Sequence, residues 1–195
     1  GAGGSTRDTT ASTVSALRSA GLEVAPHLSF GNDGRETIAR MLDRYRDSGI
    51  SRIVALRGDL PSGGGGSRQA FASELVRFIR SHSGDHFHIE VAAYPEIHPE
   101  APDYDGDIRY LRGKFEAGAN AAITQYFYSA DCYFRFLEEC RSAGIDQPIV
   151  PGIMPITNYR NLARFSERCG AEIPRWMRRR LEAYGDDADS VRSFG

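Results

Sequence analysis

The chain has 195 residues, 41% hydrophobic and 26% charged, which supplies a core and excludes whole-chain disorder. A formal net charge of −2 argues against a dedicated nucleic-acid binder, and no apolar run approaches the ~18 residues that would cross a bilayer. Three cysteines, an odd number with no C-x-x-C pair, argue against a disulfide scaffold or structural zinc site and read as reduced thiols of a cytoplasmic protein.

The chain opens on Gly1-Ala2-Gly3-Gly4-Ser5, which reads as the loop after a strand; no charged and apolar leader follows, so no secretory signal is expected. A recurring unit comes next: a helix ending in glycine, then a short apolar strand. Gly21 precedes a strand over Leu22–His27, Gly49 one over Ile53–Leu56, Gly118 one over Ala121–Thr124 and Gly144 one over Ile149–Ile153. Each glycine stands where a helix must stop in the left-handed conformation. The segments before or between them carry helical spacing: Ile38, Leu42 and Tyr45; Leu75, Phe78 and Ile79; Phe134, Leu137 and Cys140. A further strand is expected over Ile89–Tyr94. These strands are short and mostly apolar on both faces, as in a buried parallel sheet. Late in the chain, Pro174 marks a helix start at its first position, with Trp176 facing inward.

Alternation of this kind means a parallel sheet with crossover helices, either doubly wound or a (β/α)8 barrel. No G-x-G-x-x-G stands at the first strand–helix turn. The ends of the five expected strands instead carry Pro26 and His27; Arg57 to Pro61; Tyr94 to Glu100; Thr124 to Phe127; and Pro151 to Pro155, a run of polar, aromatic and turn-forming residues. That distribution favours the barrel, whose site gathers at the C-terminal rim. The Arg57–Asp59 pair reads either as a structural ion pair or as an anion contact beside a reacting centre. Gly63 to Gly66 lack the Lys-Ser/Thr of a phosphate loop and read as a flexible linker. His82, His86 and His88 read as solvent-facing rather than as metal ligands, and no metal site is expected.

Five segments, Ala25–Leu28, Ile53–Pro61, Ala92–Glu100, Ala117–Gln125 and Pro151–Ile156, resemble in order and spacing the bacterial methylenetetrahydrofolate reductase family. The resemblance covers essentially all 195 residues. It implies a (β/α)8 barrel carrying non-covalent FAD, reduced by NADH or NADPH, which passes a hydride to 5,10-methylenetetrahydrofolate and yields 5-methyltetrahydrofolate. It assigns His27, Leu56, Arg57, Gly58, Asp59, Ala92, Tyr94, Asp107, Lys114 and Ala119 to the flavin. Asp59 and Gln125 become the catalytic residues; Gln125, Asn161 and Phe165 become folate contacts. The sequence departs from the family pattern at Tyr110, at Gly113 and at Asn161, where a shorter amide replaces Gln.

About five βα units can be counted, all within one catalytic domain over 1–195. The resemblance puts the family's first-strand acid and a second-strand Thr before Gly1, and its last strand and a substrate-binding Arg beyond Gly195. The expectation is therefore a fragment that folds poorly and reduces no folate by itself, from a parent that is a cytoplasmic homo-oligomer. The alternatives are another FAD-binding barrel of proline dehydrogenase type, or an inactive remnant that acts by partner binding.

Overall fold

The computed structural model describes residues 7–30, 34–57 and 71–195. In chain order its elements are α1 (Arg7–Ser19), β1 (His27–Leu28), α2 (Arg35–Asp47), β2 (Arg52–Ala55), α3 (Ala72–Ser83), β3 (His88–Ala93), α4 (Tyr104–Glu116), β4 (Ala121–Tyr126), α5 (Ala130–Ser142), β5 (Ile149–Gly152), α6 (Tyr159–Cys169), α7 (Arg175–Tyr184) and α8 (Ala188–Phe194). The five strands hydrogen-bond in sequence order. β1–β2 and β2–β3 run parallel, with Val54 opposite His27 and Ile53 opposite Ile89. This is the βα succession of the (β/α)8 class. The predicted glycine stops hold: Gly21, Gly49, Gly118 and Gly144 all take positive φ, between 71° and 110°.

The chain divides into two compact units, one of residues 1–92 and 113–122, the other of 93–112 and 123–195. In the first, Ile38 and Leu42 of α2, Leu75, Val76 and Ile79 of α3, and Ile53, Ile89 and Val91 of the strands are wholly buried. The i, i+4 spacing on α2 and α3 puts these side chains on one stripe. Arg80 fastens the N-terminal edge of the strands. Its guanidinium donates to the carbonyls of Gly84, Phe87 and Gly118 and to Asn120 Oδ1, while that same oxygen accepts the Ile89 N–H. In the second unit, Tyr126, Ile156, Leu162, Ile173, Met177, Leu181 and Val191 form the core.

Four expectations need correction. The first strand is the two residues His27–Leu28, not Leu22–His27, because only Pro26 to Leu28 hydrogen-bond or pair with the β2 segment, through Val54 to Leu56. β3 is not apolar on both faces: Ile89, Val91 and Ala93 are buried, whereas Glu90 on the other face sits near Arg52 and His88. Pro174 is the residue before α7, not its first. Trp176 points outward, 64% exposed, with its ring edge-on to Phe194; Met177 and Leu181, four apart, are the residues that go in. Cys132, Cys140 and Cys169 are free thiols, as expected. Among the described residues, no helix is long and apolar enough to cross a membrane.

Candidate functional site

The first unit carries cationic and imidazole groups near strand C-termini. His27, exposed at its edge, opens the two-residue β1; partial desolvation of its ring lowers its pKa from the ordinary 6.5, which favours the neutral imidazole. Leu56 and Arg57 follow β2, and the Leu56 N–H donates to Leu28 O. Lys114, on α4, donates through Nζ to the Ala92 carbonyl of β3 at 2.7 Å. A lysine head group is thereby drawn to the end of a strand, where an ammonium can meet an anion. Ala119 stands apart from these. It precedes β4 and is buried beside Gly118, whose carbonyl Arg80 occupies, so it sits at the opposite end of the sheet from Lys114's contact. Gly58 and Asp59 lie outside the described residues, as do Gly1 to Ser5 and the glycine run Gly63 to Gly66.

In the second unit, the loop after β3 is tightly tied. Tyr94 packs edge-on to His98, ring centroids 4.5 Å apart. The His98 N–H donates to Asp107 Oδ2 at 2.8 Å, and the Glu100 N–H donates to His98 Nδ1 at 3.0 Å. His98 Nδ1 is therefore an acceptor, which leaves the ring proton of the neutral form on Nε2. Ile97 takes φ 72°, a left-handed conformation that a β-branched residue rarely adopts. The segment facing it accommodates the turn: a Cβ on Gly170 would come within 3.3 Å of the Ile97 carbonyl oxygen and 3.1 Å of Pro99. Glu96 accepts the Glu172 N–H at 3.0 Å, yet burial outweighs that bond and raises its carboxyl above the ordinary 4.5. Sequence reading placed Glu96 among the polar residues after the Ile89–Tyr94 strand and gave it no role of its own.

Gln125, at the end of β4, and Phe165 and Asn161, on α6, are the residues that the resemblance assigns to the substrate. Gln125 Oε1 accepts the N–H of Tyr126, and Tyr126 is itself buried. The Tyr126 ring stacks on Phe165, centroids 5.9 Å apart at 19°. Phe165 is 37% exposed, so part of its ring reaches solvent. Just beyond β4, the Tyr128 hydroxyl is buried without a hydrogen-bond partner, and burial pushes its pKa up to about 12. Asn161 lies in the first turn of α6. Its N–H is capped by Asn158 Oδ1, and its own Oδ1 accepts from Arg164 at 2.6 Å. That short amide is thus held along its helix by Arg164. Thr124 is buried and accepts the Gly152 N–H at 2.8 Å, joining β4 to β5.

The clustered histidines each have local partners: His82 on Asp43, His86 on the Ile50 carbonyl, His88 near Glu90. Among the described residues no group of three or more His, Cys, Asp or Glu is placed to hold a metal. Burial pushes the Cys132 and Cys140 thiols up to about 11, so both stay protonated near neutral pH.

Residues 1–195 match the family model described as methylenetetrahydrofolate reductase. Over 196 aligned residues the chain is 41% identical to the 5,10-methylenetetrahydrofolate reductase of Pectobacterium carotovorum subsp. carotovorum and 40% identical to that of Escherichia coli K12. All of this chain is aligned in both, and it spans 65% of the length of each relative. It is also 40% identical over 210 residues to methylenetetrahydrofolate reductase (NADH) 1 of Arabidopsis thaliana, covering the whole chain and 36% of that protein. Among solved structures, a Clostridium thermocellum protein that binds two copies of 5-methyl-5,6,7,8-tetrahydrofolic acid superposes with TM-score 0.61 at 18% identity, over 88% of this chain and 58% of that one. A 2,3-dimethylmalate lyase of the PEP mutase/isocitrate lyase superfamily superposes with TM-score 0.54 at 14% identity, over 77% of this chain and 53% of that one. At these identities the structural likeness speaks to the fold alone.

Proposed function

This chain belongs to the methylenetetrahydrofolate reductase family, and we propose on that premise that its protein reduces 5,10-methylenetetrahydrofolate to 5-methyltetrahydrofolate with NADH or NADPH and FAD. The observation that carries the reading is an alignment that runs the whole chain at 40–41% identity to two bacterial reductases.

The donor chemistry of the first unit fits a flavin dinucleotide. Lys114 and Arg57 supply the cations that a pyrophosphate requires, and the neutral form of His27, favoured by desolvation, offers one donor and one acceptor without adding charge. The family resemblance also assigns Leu56, Gly58, Ala92, Tyr94 and Asp107 to the cofactor. The placement of Ala119 before β4 gives it no support as a flavin contact. FAD, when bound, supplies the hydride transfer between nicotinamide and folate. The protein's part is to hold and polarise. Asp59 would put a negative charge near the reacting centre, favouring a cationic folate iminium. Gln125 would hydrogen-bond the folate or the nicotinamide, and Phe165 would stack on the folate's aromatic ring. Asn161 would approach the folate through an amide that Arg164 already engages.

We take 1–195 as part of one catalytic FAD-binding domain of a cytoplasmic homo-oligomer. The test is product formation: FAD-loaded protein with NADH, then with NADPH, should convert methylenetetrahydrofolate to 5-methyltetrahydrofolate. No turnover with either nucleotide would remove the reading.

A further inference from the structure

Two buried hydroxyls on β4 and α6 have no part in the reading above. Tyr126 and Ser166 are each 3% exposed, and the Tyr126 hydroxyl lies 2.8 Å from Ser166 Oγ. Cys169 Sγ lies 3.6 Å from the same hydroxyl, one helical turn after Ser166. Two points on α6 thus converge on one atom of β4. An apolar pair would fill this core at lower desolvation cost, since each buried hydroxyl must be paired to avoid a penalty. What a hydrogen bond adds is register, because it holds at one geometry, whereas apolar contacts slide.

That register matters because of what flanks the bond. Tyr126 directly follows Gln125, whose side-chain Oε1 accepts the Tyr126 N–H. Ser166 directly follows Phe165, whose ring stacks on the Tyr126 ring. Each clamp residue is therefore next in chain to a residue read as a folate contact. A slip of one residue along α6 would move Phe165 by about 1.5 Å and swing it by about 100°. A ligand that must touch Gln125 and Phe165 together would not tolerate that.

We propose that Tyr126 and Ser166 form a positioning clamp that fixes the spacing between Gln125 and Phe165 for a folate ligand. The clamp rests on the reading of those two residues as folate contacts. Neither Tyr126 nor Ser166 need touch the ligand.

The test is calorimetric titration of the FAD-loaded holoenzyme with 5-methyltetrahydrofolate. Tyr126→Phe removes only the hydroxyl, and Ser166→Ala only its partner. Each should raise Kd about fivefold, the effect of one hydrogen bond on an equilibrium, while FAD retention stays as in the wild type. The double variant should bind no more weakly than either single one, and Ser166→Thr, which keeps a hydroxyl, should restore most of the affinity. Wild-type Kd in both single variants, with only thermal stability reduced, would overturn the clamp and leave an ordinary core bond. Failure of the wild type itself to bind 5-methyltetrahydrofolate would overturn the folate reading, and the clamp with it.

Discussion

Lys114 shows how one long side chain can serve a strand end from a helix. Its ammonium reaches the Ala92 carbonyl at 2.7 Å, so it is already oriented before any anion arrives. Lys114→Met should weaken FAD binding about tenfold or more by fluorescence titration, since a charge-assisted contact is lost; Lys114→Arg should recover part of it. Glu96 makes a prediction about pH. Burial raises its folded pKa above the 4.5 of the unfolded chain. The folded protein therefore holds that proton more tightly, and the stability so gained is full below pH 4.5 and lost as pH rises through the folded value. Glu96→Gln retains an oxygen for the Glu172 N–H and removes the charge. It should raise Tm at pH 7 by about 2 °C and flatten this loss in a series of melts from pH 4 to 8. Equal Tm differences at every pH would show that the carboxyl does not titrate in this way.

Glycines separate two effects at the scale of the element. A Cβ at Gly152 would lie 2.1 Å from the Thr124 carbonyl oxygen, so β5 can approach β4 there only without a side chain. Gly113, inside α4, has nothing within 4 Å of an added Cβ. Gly152→Ala should destabilise by about 2 kcal/mol or more, and Gly113→Ala should stabilise by about 0.5–1 kcal/mol, both read from urea unfolding. Opposite signs are the check. The helix ends were legible in sequence because positive φ is a local demand: Gly21, Gly49, Gly118 and Gly144 announce it without reference to the rest of the chain. The first strand was not legible in its true place, because Leu22 to Ala25 look like a strand but find no partner, whereas His27 and Leu28 pair with β2. Trp176 misled for a related reason: size argues for burial, but Met177 and Leu181 set the face of α7 and Trp176 lies off it. Of the site, Lys114 and Phe165 came from resemblance to a family. The Tyr126–Ser166 bond joins residues 40 apart, and no spacing rule reaches that far.

At the scale of the whole molecule, the family match runs over residues 1–195, and the two units each present a different chemistry, cations with imidazole in one, stacked aromatics with amides in the other. The proposed activity requires that one protein-bound flavin take electrons from a nicotinamide and give them to a folate. The most direct measurement divides these steps. FAD-loaded holoenzyme is reduced anaerobically with NADH or NADPH until its visible flavin absorption bleaches, and is then mixed with 5,10-methylenetetrahydrofolate. The account predicts that the absorption returns in step with 5-methyltetrahydrofolate formation. A flavin that bleaches but stays reduced in the presence of the folate would contradict it and point to a different electron acceptor.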